Sequence, residues 1–259
     1  MEFEIIFSIL IPFVGTVLGS ALIFLIKKMN SKLLRAFSGF AAGVMVAASI
    51  WSLIIPSFEA SAKMGKLAFV PVIIGLWLGF SFLMILDKVI PHQHTNSEET
   101  EGPKVNLKKS TMTSLAVALH NLPEGIAVGV VLASSQVENT GVTITMAIAL
   151  AIGIAVQNFP EGAIVSISMN SSDVSKPKSF ALGVLSGVVE PLGAVITILL
   201  VDLLHPALPY LLSFAAGAML YVVVEELVPE MSKGEHSHIG TILFGIGFSL
   251  MIVLEVLLG

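Results

Sequence analysis

The chain reads as an all-α integral membrane protein of eight transmembrane helices in a 3+2+3 arrangement with inverted repeats. Three observations lead there. Of its 259 residues, 55% are hydrophobic and only 12% charged, with mean hydropathy +0.95, whereas a soluble domain carries about 25% charged residues. Apolar runs long enough to span, roughly 17–25 residues each, follow one another along the whole length. The third observation is a phrase repeated inside two of those runs. His120-Asn121-Leu122-Pro123-Glu124-Gly125 returns 37 residues later as Gln157-Asn158-Phe159-Pro160-Glu161-Gly162.

The spans are expected at about 5–26, 36–56, 67–90, 111–134, 142–169, 179–203, 209–231 and 238–258. They use nearly all of residues 1–259, leaving a single polytopic transmembrane domain and no room for a soluble one. The first span has no charged residue. The start, Met1-Glu2-Phe3-Glu4, is acidic, unlike the positively charged opening of a cleavable signal. The second span is rich in small residues, Ala41, Ala42, Gly43, Ala47, Ala48 and Ser49, a composition that permits close helix packing. The third carries Asp87 near its end. Spans four and five carry the repeated phrase. The sixth holds Val189-Glu190-Pro191, the seventh Glu225, Glu226 and Glu230, and the eighth Glu255, for which no partner is visible.

Loops are short except for the polar stretch at about 91–110, which opens Pro91-His92-Gln93-His94 and continues with Glu98, Glu99 and Glu101. Eleven lysines and arginines fall in the odd-numbered loops and their flanks; only Lys63 and Lys66 lie on the other side. Positive charge marks the cytoplasmic face, so loop 91–110 is expected in the cytoplasm and both termini outside, in a cell (inner) membrane. Cysteine is absent, which removes disulfides, thiolate metal sites and cysteine nucleophiles. No feature points to nucleic acid; the expected partners are the lipid bilayer, divalent metal ions and, through small-residue helix faces, a second copy of the chain.

A carboxylate at the centre of a membrane helix costs about 2.5–3.5 kcal/mol on insertion scales, and here that cost is met twice. His120 and Glu124 are four residues apart and share a helix face, as do Gln157 and Glu161. Asn121 and Asn158 flank those faces. Each proline lacks an N–H and clashes with the carbonyl four residues back, so the carbonyls of Leu119 and Val156 are expected to be freed. Because spans four and five are antiparallel, a pseudo-twofold axis in the membrane plane brings the two phrases together, the plan of inverted-repeat transporters with broken helices and a midplane site. No clear match joins spans one to three with six to eight. The set of one imidazole, two carboxylates and three amides suits a borderline divalent ion, Zn²⁺, Fe²⁺ or Mn²⁺. The bland alternative has the glutamates merely bonding neighbouring helices; the duplication with a histidine in register argues against it.

Other residues are weaker candidates. Glu190 is a third carboxylate for the same cavity. Of Glu225 and Glu226 only one can face the bundle, as an exit or relay group. Met45 offers a soft sulfur, though membrane methionines mostly just pack. His92 and His94 form a short His tract that binds metal weakly or is simply solvated. His236 and His238 beside Glu235 form a smaller version of it, and Asp202 sits near a span end.

The paired phrase resembles the signature of the Zrt/Irt-like (ZIP) divalent-metal transporters, and Gln157 in place of a second histidine resembles the prokaryotic GufA-type branch. The resemblance covers essentially the whole chain. It implies a binuclear site between helices 4 and 5. His120, Glu124, Gln157 and Glu161 would hold the transported ion, with Met45 as a further ligand. Asn121, Asn158 and Glu190 would form the neighbouring site, with Glu124 and Glu161 bridging. Some relatives carry aspartate where this chain has Asn158, so the second site here has one negative charge fewer. The resemblance also implies an elevator in which helices 1, 4, 5 and 6 carry the site past 2, 3, 7 and 8. The expected function is zinc uptake into the cytoplasm by alternating access, with Cd²⁺, Fe²⁺ or Mn²⁺ as further substrates, no catalytic cofactor and no enzymatic activity. Two rivals are an intramembrane zinc metalloprotease, which needs an HExxH-type helix, and a carboxylate-based proton-coupled antiporter without a metal substrate.

Overall fold

The computed structural model describes residues 2–26, 28–92, 102–103, 109–137, 140–170, 174–200, 207–234 and 237–259. Within them are eight helices long and apolar enough to cross a membrane: α1 (Glu2–Phe24), α2 (Ser31–Ala60), α3 (Phe69–Val89), α4 (Thr111–Ser135), α5 (Ile144–Asn170), α6 (Lys176–Leu199), α7 (Leu208–Ser232) and α8 (Ile239–Leu258). His94, Glu98, Glu99, Glu101, Asp202, Glu235 and His236 lie outside the described residues.

Helix ends differ from the expected spans for local reasons. The Asn30 side chain accepts a hydrogen bond from the Leu33 N–H at 2.8 Å, a cap that starts α2 five residues before the expected 36. The same helix runs on to Ala60 through a π-helical turn at Ser49–Ile54 followed by Pro56. A second π-helical turn occupies Val223–Leu227 of α7, followed by Pro229. Pro123 and Pro160 do not break α4 and α5, which continue through them. The interruption falls instead at Val188 in α6, where Pro191 cannot donate to the carbonyl of Gly187.

Four close helix pairs build the bundle: α1 with α5, α2 with α8, α3 with α7, and α4 with α6. Each is locked by a Gly-x-x-x-Gly phrase: Gly15 and Gly19, Gly39 and Gly43, Gly75 and Gly79, Gly125 and Gly129. A Cβ on Gly15 would overlap the Ala155 carbonyl, on Gly43 that of Phe244, on Gly79 that of Phe214, and on Gly125 that of Glu190. Small residues let backbones meet where lipid supplies no hydrophobic drive between helices. The pair list is unchanged on exchanging α1 with α6, α2 with α7, α3 with α8 and α4 with α5. Phe40-Ala41-Ala42-Gly43-Val44-Met45 in α2 also returns as Phe214-Ala215-Ala216-Gly217-Ala218-Met219 in α7, so the absence of a match between the first and last three spans does not hold for that pair.

The most buried helices are α4, α2, α5 and α7; 78% of the apolar window of α4 is buried against 17% for α8. The expected central pair is therefore a central four. The outer helices turn large apolar side chains outward, among them Leu10 and Leu18 of α1, Ile73 and Trp77 of α3, and Ile242 and Val253 of α8. That inside-out pattern fits a hydrocarbon surround.

Candidate metal site

Seven polar side chains meet in the middle of the bundle. His120, Asn121 and Glu124 come from α4, Gln157, Asn158 and Glu161 from α5, and Glu190 from the turn of α6 that follows Val188. All are buried but Glu161, which is half-buried. The Gly125 contact with the Glu190 carbonyl draws α6 against α4 beside Glu124.

The hydrogen bonds inside the group are few. Gln157 donates from Nε2 to Glu124 Oε1 at 2.7 Å. Asn121 donates from Nδ2 to Glu190 Oε1 at 3.0 Å and to the Ser186 carbonyl at 3.2 Å. Asn158 lies within reach of both Glu124 and Glu190, yet neither of its amide atoms makes a well-formed hydrogen bond. Glu161 lies in the fields of Glu124, Glu226 and Glu190.

What remains is a cluster of buried oxygens without hydrogen-bond partners: Glu124 Oε2, Gln157 Oε1, Asn158 Oδ1, Glu161 Oε1 and Glu190 Oε2. An unsatisfied buried polar group costs about 1–3 kcal/mol, and more when charged. Five such acceptors around several carboxylates form the donor set that a cation would compensate. Carboxylate and amide oxygens with one imidazole suit a hard or borderline divalent ion.

The imidazole itself is engaged elsewhere. His120 Nδ1 contacts the carboxylate of Glu226, which the π-helical turn of α7 presents half-buried while Glu225 is exposed. Accordingly, no group of three or more His, Asp or Glu side chains stands preassembled around one point among the described residues. Met45 is fully buried in the main apolar cluster, which also holds Ala41, Ala48 and Leu150.

His92 is neither solvated nor part of an open loop. It is fully buried, with Nδ1 donating to the Ile90 carbonyl at 2.8 Å and Nε2 3.7 Å from Asp87 Oδ1. Tyr221 donates to the other oxygen of Asp87. Glu255, without visible partner in the sequence, accepts a hydrogen bond from Ser52 in the π-helical turn of α2. Thr16 was not among the sequence candidates; it donates to Glu190 Oε1 at 2.7 Å. Its only sequence signal is its place in the phrase Gly15–Gly19, whose glycines seat α1 on α5 while the Thr16 side chain turns to α6.

Comparison with known proteins gives a coherent set of similarities. The family model described as "ZIP Zinc transporter" matches residues 109–255. The chain is 32% identical to "Zinc transporter ZIP11" of Bos taurus, over 94% of each sequence. It is 36% identical to "Zinc transporter ZIPB" of Bordetella bronchiseptica, over 95% of this chain and 79% of that protein. Against "Zinc transporter GufA" of Myxococcus xanthus the identity is 34%, over 95% of each.

Proposed function

The chain belongs to the ZIP family of zinc transporters, and from that premise we propose that it carries Zn²⁺ into the cytoplasm through the site between α4 and α5. It is a multi-pass membrane transporter of divalent metal, not an enzyme, which sets aside the metalloprotease and the metal-free antiporter. The observation that carries the site assignment is that five buried oxygens, of Glu124, Gln157, Asn158, Glu161 and Glu190 on the adjoining helices α4, α5 and α6, have no hydrogen-bond partner. A hydrated ion entering from outside exchanges water for His120, Glu124, Gln157 and Glu161, with Met45 of α2 as a further, soft ligand. Asn121, Asn158 and Glu190 form the adjoining site, and Glu124 and Glu161 face both. Cd²⁺, Fe²⁺ and Mn²⁺ compete for the same oxygens.

Glu226 is the exit-side group. It competes with the ion for His120, so release of metal is matched by return of the imidazole to Glu226. Glu225, exposed on the same turn, lies on the outflow side. His92, at the end of α3, belongs to the cytoplasmic end of that route. The cytoplasmic placement of loop 91–110, termini outside an inner membrane and a homodimer belong to the same reading.

The two-body elevator is supported by the helix pairs. α1·α5 and α4·α6 fall wholly within the moving set, and α2·α8 and α3·α7 wholly within the fixed one. The invariance of those pairs under helix exchange, with a π-helical turn in both α2 and α7, supports the inverted-repeat 3+2+3 arrangement.

The test is Zn²⁺ flux into proteoliposomes for the wild type, Glu124→Ala and Glu161→Ala. Saturable flux in the wild type, lost in both variants, is expected. Flux surviving both would move the pathway away from the paired phrase, toward Glu190 and Glu226.

A further inference from the structure

We propose that Thr16 of α1 is a positioning residue for the cation site: its hydroxyl, together with Asn121, occupies one oxygen of Glu190 and so aims the other into the cluster of metal-facing oxygens. The inference rests on the transporter reading and deepens it, because it assigns a role in ion binding to a helix that contributes none of the proposed ligands.

The geometry is specific at the level of single atoms. Glu190 Oε1 accepts from Thr16 Oγ1 at 2.7 Å and from Asn121 Nδ2 at 3.0 Å. Both donors come from neighbouring helices, α1 and α4, and converge on the same oxygen. Oε2 is buried and has no hydrogen-bond partner. A carboxylate free to rotate would present either oxygen, or both, to an ion. Held at Oε1 by two donors, this one presents Oε2 alone, as a one-oxygen ligand in a fixed direction. Outer partners of this kind orient metal ligands, and their loss typically costs 10–100-fold in affinity.

The surroundings are shaped to the bond. A Cβ on Gly187 would lie 2.8 Å from Thr16 Cγ2 and 3.2 Å from Glu190 Oε1, so glycine at that position leaves the space in which hydroxyl and carboxylate meet. Thr16 itself is 2% exposed, so water does not replace it as a donor. Its helix is fixed in place by Gly15 and Gly19, which seat α1 on the backbone of α5 at Ala155 and Phe159. Thr16 thereby ties α1, α4 and α6 to one carboxylate. The two donors also differ in kind. Asn121 shares its amide donor with the Ser186 carbonyl, whereas Thr16 gives its one hydroxyl proton to Glu190.

The experiment measures Co²⁺ binding to purified full-length protein in nanodiscs, by equilibrium dialysis and by the visible absorption of the bound ion. The variants are Thr16→Val, which keeps shape and removes the donor, and Thr16→Ser, which keeps the donor. Both are repeated in a Glu190→Gln background. Thr16→Val is expected to weaken binding about tenfold or more and to shift the absorption bands, Thr16→Ser to restore both, and the Thr16→Val effect to vanish with Glu190→Gln. Wild-type affinity and spectrum in Thr16→Val would overturn the proposal. So would equal weakening in both backgrounds, or no rescue by serine. Thr16→Ala serves as the donor-less variant if the valine protein does not fold. Failure of the wild type to bind Co²⁺ would overturn the proposed site as well, whereas normal wild-type binding with an indifferent Thr16 sinks this inference alone.

Discussion

His120 has two partners in prospect, the metal and Glu226, and it cannot serve both through Nδ1. A hydrogen bond to a charged group is worth about 1.5–3 kcal/mol net, which is tenfold or more in affinity. Glu226→Gln should therefore tighten Co²⁺ binding, even though removing a carboxylate near a cation ordinarily weakens it. Titration calorimetry on both proteins decides the matter, and a weaker or unchanged affinity in the variant would leave Glu226 as an ordinary ligand. Asn158 makes the converse case. Its two amide atoms lack hydrogen-bond partners beside Glu124 and Glu190, and it supplies no charge. Asn158→Asp should raise the bound Co²⁺ toward two ions per chain, as counted by equilibrium dialysis with elemental analysis; an unchanged count would rule charge out as the limiting factor. The candidate residues at this scale were legible because carboxylates in apolar runs are costly and the phrase is written twice. Thr16 was not, since a threonine in an apolar helix carries no such cost signal, and its partner lies 174 residues away. Nor was the burial of His92, whose partner Asp87 sits on the preceding helix end, five residues back, outside the loop to which a His tract was assigned.

At the scale of the helix, the prolines and the glycines exchange their expected roles. Pro123 and Pro160 read as breaks, yet α4 and α5 pass through them; neighbouring helices can hold a kinked segment at membrane depth. The break at Val188 was harder to see because it depends on what Pro191 leaves unpaired one turn earlier. The Gly-x-x-x-Gly phrases of α1, α2, α3 and α4 carry the pairing of all eight helices. The inference from small residues in one span to a general packing rule had to wait for the partners. Gly43 and Gly245 separate the two uses of glycine. Gly43 meets the Phe244 carbonyl, while nothing lies within 4 Å of a Cβ on Gly245. Gly43→Ala should destabilise by about 1–3 kcal/mol through overpacking, and Gly245→Ala should be neutral or gain roughly 0.5–1 kcal/mol from helix propensity. Thermal unfolding in detergent checks both, and equal midpoints for the two variants would remove the glycine contact as the lock between α2 and α8.

The molecule as a whole is four locked pairs, and the question for function is which pairs move together. If the elevator division holds, α2 slides past α5 while α3 and α7 stay fixed to one another. The sequence made eight spans legible through hydropathy alone, but no hydropathy pattern records which helix faces which, and the repeat of Phe40–Met45 as Phe214–Met219 acquires meaning only once α2 and α7 are seen to play equivalent parts. The absence of cysteine makes the division testable, since any thiol is one put there by design. A Cβ on Gly153 of α5 would stand 3.8 Å from Val44 Cγ1 of α2, close enough for a bridge between the two bodies, once the Met251 side chain, whose Sδ that Cβ would overlap, has swung aside. The rings of Phe82 and Phe214, 5.3 Å apart on α3 and α7, mark a bridge inside one body. With a short thiol-specific linker, the Val44→Cys/Gly153→Cys protein should lose Zn²⁺ flux when bridged and regain it on reduction, while bridged Phe82→Cys/Phe214→Cys should keep transporting. Flux through the first bridged protein would mean that the ion reaches the cytoplasm without the site-bearing helices moving past α2. The carboxylate cluster would then line a fixed path, gated locally at His120 and Glu226.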